Sequence, residues 1–379
     1  MNSTGMADSA EPLFRHGKGR IWAAASSCLF LTLGCARPQQ EVDTRSVRYY
    51  QPPVRAYRST TSAASTTATP GTSCDTGRGI FSGGSWINRS VVNAARSPDS
   101  DAIVRFLETS HRGPGKFQVD FSLVLLEAER STQRQTFKRS PGHELPDCDI
   151  TPVPLPAKGR LQGERGYACE GDGDCHLLVL ERQECRLYEM SRANVRGNSF
   201  QGGCLAVWNL AEPYPAKGRG EGCSSAGGAG LPIAPLLFNP DDLARGEITH
   251  ALRFALPSTL IRRLAYVAPG THSTKSTEGP DNAPPYGALF RLRPEIDLGS
   301  YKPAARVVLD ALQNYGMYLA DEDNVTFSAA SDAMSVLKWS DVAFGPNDLA
   351  ELRWTDFEVV DAGEPRVWQG QCARKPLTE

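Results

Sequence analysis

Apolar and polar residues alternate over short stretches of this chain far more often than they recur at helical spacing. Phe117-Gln-Val-Asp-Phe-Ser-Leu-Val-Leu-Leu126 opens in alternation and closes on an apolar run, the pattern of a half-buried strand. His176-Leu-Leu-Val-Leu-Glu181 and Cys185-Arg-Leu-Tyr-Glu-Met190 predict two strands joined by the polar turn Arg182-Gln183-Glu184. Cys204 to Leu210 predicts a further strand, as do Gly287 to Arg293, Met317 to Leu319 and Phe357 to Val360. From Ile248 to Leu256, positions Ile248, His250, Leu252, Phe254 and Leu256 alternate with Thr249, Ala251, Arg253 and Ala255. A strand so built has one apolar face, interrupted by His250.

Helices are expected to be few, and two segments stand out. Pro240 to Arg245 has Asn239 as N-cap, proline at its first position, early acids and Gly246 to stop it. From Pro303 to Tyr315, Ala304, Val307, Val308, Ala311, Leu312 and Tyr315 recur at i, i+3, i+4 and i+7, and Gly316 follows. Between Pro141 and Pro156 the prolines and the lack of period predict a surface loop or extended edge. The expected fold is a single β-rich α+β domain, an antiparallel sandwich with one long helix.

Composition narrows the partners. Lys and Arg total 41 against 43 Asp and Glu, so no basic field is present to hold a nucleic-acid backbone. Arg15, Lys18 and Arg20 precede an uncharged run from Ile21 to Leu33, the charged and apolar regions of an export signal. Leu31-Thr32-Leu33-Gly34-Cys35 resembles the lipobox of bacterial lipoproteins, with Thr32 standing where Leu is usual. The resemblance implies cleavage before Cys35, a lipid on that cysteine and a membrane partner, and Ala36 after it leans towards the outer membrane. Residues 1–35 are therefore expected to be the signal. Residues 36–78, rich in Ser, Thr and Pro, form a tether that buries too little apolar surface to fold, and 79–375 are the folded extracytoplasmic domain.

Eight cysteines remain once Cys28 and Cys35 are set aside, an even number for an oxidising compartment. No pair has the C-x2-C spacing of zinc sites, so disulfides are expected and metal is not. Glu170-Gly-Asp-Gly-Asp174 lacks the ligand order of a calcium loop and reads as a turn.

Several ordered stretches resemble a family of secreted bacterial proteins with no assigned activity. They are His176 to Glu181 with Cys185 to Glu189, Gly230-Leu-Pro-Ile-Ala-Pro235, Gly246-Glu-Ile-Thr-His-Ala-Leu-Arg-Phe254, Tyr266-Val-Ala-Pro-Gly-Thr-His272, Pro284-Pro-Tyr-Gly287 and Ser300 to Asp321. The resemblance covers most of residues 80–330 and supplies no catalytic residue or cofactor. Relatives carry an Asp-Asn-Gly-Ser turn where this chain has Asp321-Glu-Asp-Asn324, and Trp where Ala268 stands.

Those stretches contain His176, His250, His272 and Glu189. If the four converge on one pocket, imidazole can serve there as general acid or base, or bind metal. Gly-x-Ser-x-Gly and His-Glu-x-x-His, the common serine-hydrolase and zinc-protease signatures, are absent from the chain. An exported domain with Trp86, Trp208 and Tyr286 in its loops suits polysaccharide. The expectation is a hydrolase or lyase on a glycan through a His/Glu site, with a non-catalytic glycan-binding or scaffold lipoprotein as the alternative.

Overall fold

Leu177 to Glu181 and Arg186 to Met190 pair antiparallel as the sequence predicts, and the five residues of the first strand are all buried. Leu178 and Leu180 join one hydrophobic core, Leu177 and Val179 a second, so both faces of the hairpin are covered. A near-continuous apolar run is what such a doubly covered strand requires. The computed structural model describes residues 80, 85–110, 117–171, 173–211, 214 and 218–374.

Ten strands form the two main sheets. They are β1 Gln118–Leu123, β2 Leu125–Glu127, β3 Leu177–Glu181, β4 Arg186–Met190 and β5 Leu205–Asn209, then β6 Leu252–Leu256, β7 Leu289–Leu292, β8 Met317–Glu322, β9 Thr326–Ala330 and β10 Phe357–Val359. One sheet has the order β1-β9-β6-β8-β7-β10, the other β5-β4-β3-β2. Antiparallel pairs are joined by the parallel pairs β1 with β9, β6 with β8 and β2 with β3. The larger sheet and one face of the smaller share the first core, while the other face of the smaller covers the second. The result is the expected β-rich α+β fold.

The apolar run from Phe117 to Leu126 is two strands. At Val124 the chain leaves the six-stranded sheet and enters the four-stranded one. β6 is shorter than its alternation suggests, because Gly246 turns the chain at φ 78° and Ala251 N–H donates to Ile87 O before the ladder begins at Leu252. His250 therefore lies ahead of the strand. Arg253 and Ala255 are buried along with the rest of β6, and Arg253 reaches Asp321 at 2.9 Å.

Three α-helices are described: α1 Ser100–Ser110, α2 Pro240–Arg245 and α3 Pro303–Asn314. α3 buries Ala305, Val308, Leu309, Ala311 and Leu312, with Ala304 and Val307 at the rim. At its end Gly316 takes φ +75°, and a Cβ there would lie 2.6 Å from Phe290 O, so only glycine fits. In the first core Phe117 meets Trp354 at 4.6 Å and Phe254 of β6 meets Phe290 of β7 at 5.3 Å, both edge-on.

Cys148–Cys204, Cys169–Cys175 and Cys223–Cys372 are disulfides, and Cys185 is disulfide-bonded as well. Such bonds mark an oxidising, extracytoplasmic compartment. Both groups of metal-ligand side chains among the described residues contain one of these pairs, Cys223 and Cys372 with Asp147 and Cys169 and Cys175 with Glu164. Their sulfurs are committed and are not thiolates. None of the helices among the described residues is long and apolar enough to cross a membrane. Alkylation of the mature protein without reductant is expected to modify none of its eight cysteines other than Cys35, and mass spectrometry that finds a labelled thiol among them would contradict this.

Candidate functional site

α2 sets the geometry of the site. Asn239 Oδ1 accepts from Asp242 N–H at 3.0 Å, and Asp242 Oδ2 accepts from Asn239 N–H at 2.9 Å, a reciprocal capping box that fixes the Asp242 carboxylate at the first turn. Arg245 donates to Asp242 Oδ1 from the last turn. Beyond the Gly246 turn the chain comes back, and His250 joins Asp242 on the lining of one cavity.

That cavity has a volume of about 120 Å³, room for water and for part of a small ring. Asn88, Asn239, Asp242, Thr249 and His250 supply its polar lining, with Arg182, Arg245 and Glu247 towards the exposed side and Leu125, Ala234 and Pro235 among the apolar walls. His250 Nδ1 contacts Ala251 O at 2.9 Å. A carbonyl oxygen only accepts, so Nδ1 carries the proton and the lone pair of the neutral ring sits on Nε2. Burial pulls the imidazole below its usual 6.5, with the Ala251 carbonyl and Asp242 opposing. Burial likewise raises Asp242, against His250, the Asn239 N–H and Arg245. Each group is pushed towards its neutral form, as in acid/base sites.

The other three candidate residues do not open on this cavity. His176 is buried, its Nδ1 2.5 Å from Gln162 Oε1 and its Nε2 3.0 Å from Ala226 O. His272 Nδ1 lies 2.8 Å from Gly228 O, and its ring stands edge-on to Trp368 at 4.5 Å. Burial lowers its pKa, while the Gly228 carbonyl and Asp147 oppose. The fully buried Glu189 carboxylate accepts from Ile233 N–H and Ala234 N–H, at 2.9 and 2.8 Å, and from Trp208 Nε1 at 2.9 Å. His176, His272 and Glu189 thus converge, but on the backbone of the segment 226–234. Glu189 has a further consequence, since Ala234, which it holds, is part of the cavity wall.

Loops from several of the resembling stretches tie to one another beside this segment. Asp321 Oδ1 accepts from Gly228 N–H at 3.1 Å while Oδ2 accepts from Arg253, and Glu322 Oε1 accepts from Tyr286 at 2.8 Å, from Ser276 at 2.7 Å and from Thr274. Burial first, then Asp321 and Glu322, hold the Tyr286 phenol well above its ordinary range, so it remains a donor.

The aromatics expected in loops are buried away from the cavity, Trp208 within β5 and Trp86 and Tyr286 in the core; Asp242 and Arg245 are among the site residues that sequence reasoning passed over. Their signal was present in the Asn-Pro-Asp-Asp cap, which puts a carboxylate at the third helical position. Comparison with known protein families, characterised proteins and solved structures finds no match.

Proposed function

We propose that this is an exported, lipid-anchored cell-envelope protein whose His250 cavity acts on a polysaccharide by proton transfer. The observation that carries the reading is the His250 ring itself: Nδ1 is fixed by a carbonyl, the Nε2 lone pair remains, and Asp242 stands on the same cavity. A neutral imidazole so held is a general base at pH 7. The disulfides support the export half of the proposal. Cys35, its proposed anchor, lies outside the described residues.

A second reading is a non-catalytic glycan-binding or scaffold lipoprotein. It is favoured by the use of His176, His272 and Glu189 as ties to backbone. A screen of the mature protein against envelope and environmental polysaccharides separates the two. Release of new chain ends supports the enzyme, and retention on an insoluble polymer without turnover supports the binder.

Two expected outcomes accompany the reading. Cells fed a clickable fatty acid should label the wild-type protein and not Cys35→Ser; equal labelling removes the anchor. Activity should hold across neutral pH and decline on the acid side only below 6.5, because burial lowers the His250 pKa from that value. An acid limb above it would assign the proton transfer to another group.

A further inference from the structure

The groups around His250 discriminate between the ways of breaking a glycan. Hydrolysis of a glycosidic bond uses two carboxyl groups across the scissile bond, ~5–10 Å apart, one as acid and one as base or nucleophile. Two carboxyl groups belong to this cavity. Asp242 has both oxygens occupied, by Asn239 N–H and by Arg245, as the capping group of α2. Glu247 is exposed and engaged in an interaction of its own. Asp242 is thus committed to holding α2, and Glu247 lies at the exposed rim.

The cavity offers a different combination: an imidazole with its lone pair on Nε2 and two guanidinium groups, Arg245 and Arg182, on the same lining. Arg245 is 43% exposed and gives Nη2 to Asp242, one of the five N–H donors of a guanidinium. Arg182, 54% exposed, adds a second positive charge, shared with Glu127 at 3.3 Å. Opposing them are Asp242, which is paired with Arg245, and Glu247. A base beside guanidinium groups is suited to removing a proton from a carbon next to a carboxylate, because the cation stabilises the charge that builds on the carboxylate oxygens.

We infer that the substrate is a uronic-acid polysaccharide and that the cavity cleaves it by β-elimination, an inference that rests on the polysaccharide reading above. His250 Nε2 takes the proton from C5 of the uronate. The electron pair of that C–H bond becomes the C4=C5 double bond, and the C4–O4 bond breaks with its pair leaving on O4. The departing oxygen then receives a proton from the His250 imidazolium. The ring returns to neutral, and the products are one chain ending in an unsaturated uronate and one chain with a free hydroxyl at O4. The step consumes no water. Arg245 is the group placed to hold the substrate carboxylate, with Asn239 and Asn88 beside it on the lining.

The test incubates the mature protein with alginate, polygalacturonate and hyaluronan, with cellulose and laminarin as uncharged polymers. Ultraviolet absorbance of the unsaturated product and reducing ends are read separately. Both signals should rise together on at least one uronate polymer and vanish when its carboxylates are reduced to alcohols. His250→Gln should slow the reaction ~10²-fold, and Arg245→Gln should raise KM about tenfold, as loss of a charge-assisted contact does. Arg182→Gln, at the exposed edge, replaces the latter variant if Arg245→Gln lowers the melting temperature. Reducing ends without absorbance would overturn β-elimination and leave the polysaccharide reading standing. Absence of turnover on every polymer would overturn both.

Discussion

Glu189→Leu should cost on the order of 3–5 kcal/mol of stability, because it leaves Trp208 Nε1 and the N–H groups of Ile233 and Ala234 buried without their acceptor. For a domain of this size that is a fall in Tm of roughly 5–8 °C. Glu189→Gln should lose less, since its carbonyl can still serve the two backbone donors, while its amide NH2 meets the indole N–H as donor against donor. The sign of the pH dependence gives a second readout. Burial raises the carboxyl from 4.5 to about 7, over the opposing pull of Ala234, Ile233, Trp208 and Arg253. The folded state therefore holds the proton more tightly than the unfolded chain. Its contribution is fully present below 4.5 and is lost as pH rises to about 7, in total roughly 3 kcal/mol. Chemical unfolding across that range should show the decline in the wild type and a flatter profile in Glu189→Gln. Two profiles of equal slope would contradict the account. Because Ala234 belongs to the cavity wall, a loosened 233–235 segment should also lower activity at His250.

What the sequence discloses follows the range of the interactions. The hairpin of β3 and β4 was legible because its pattern, its turn at Arg182 to Glu184 and its pairing are all local. The division of Phe117 to Leu126 was not, since the partners that separate β1 from β2 are parallel strands far along the chain, β9 and β3. The burial of Arg253 and Ala255 was not legible, because alternation cannot show that neighbours cover both sides of β6. Here a charge is buried by pairing with Asp321. α1 carries Ile103, Val104 and Leu107 at helical spacing behind Ser97-Pro98-Asp99, a signal too short to stand out beside α3.

The candidate site divides the same way. The capping box that places Asp242 was readable from Asn239 to Gly246, whereas Asn88, Leu125 and Arg182 reach the cavity from distant parts of the chain. Histidine as the informative residue type was visible. That His176 and His272 would bond to carbonyls of one buried segment, while His250 faces a cavity, depends on where the 226–234 backbone runs.

His250 is where structure and chemistry predict opposite results. Its one described hydrogen bond goes to Ala251 O, the next residue, so it ties no distant segment and its loss should hardly affect folding. Glutamine keeps an N–H donor for that carbonyl and removes the proton acceptor. The most direct measurement is thus a pair of readings on one His250→Gln protein, thermal unfolding and turnover of the polysaccharide the wild type degrades. The account predicts stability within ~1 kcal/mol of wild type and turnover reduced ~10²-fold or more. A lowered melting temperature with turnover intact would contradict it.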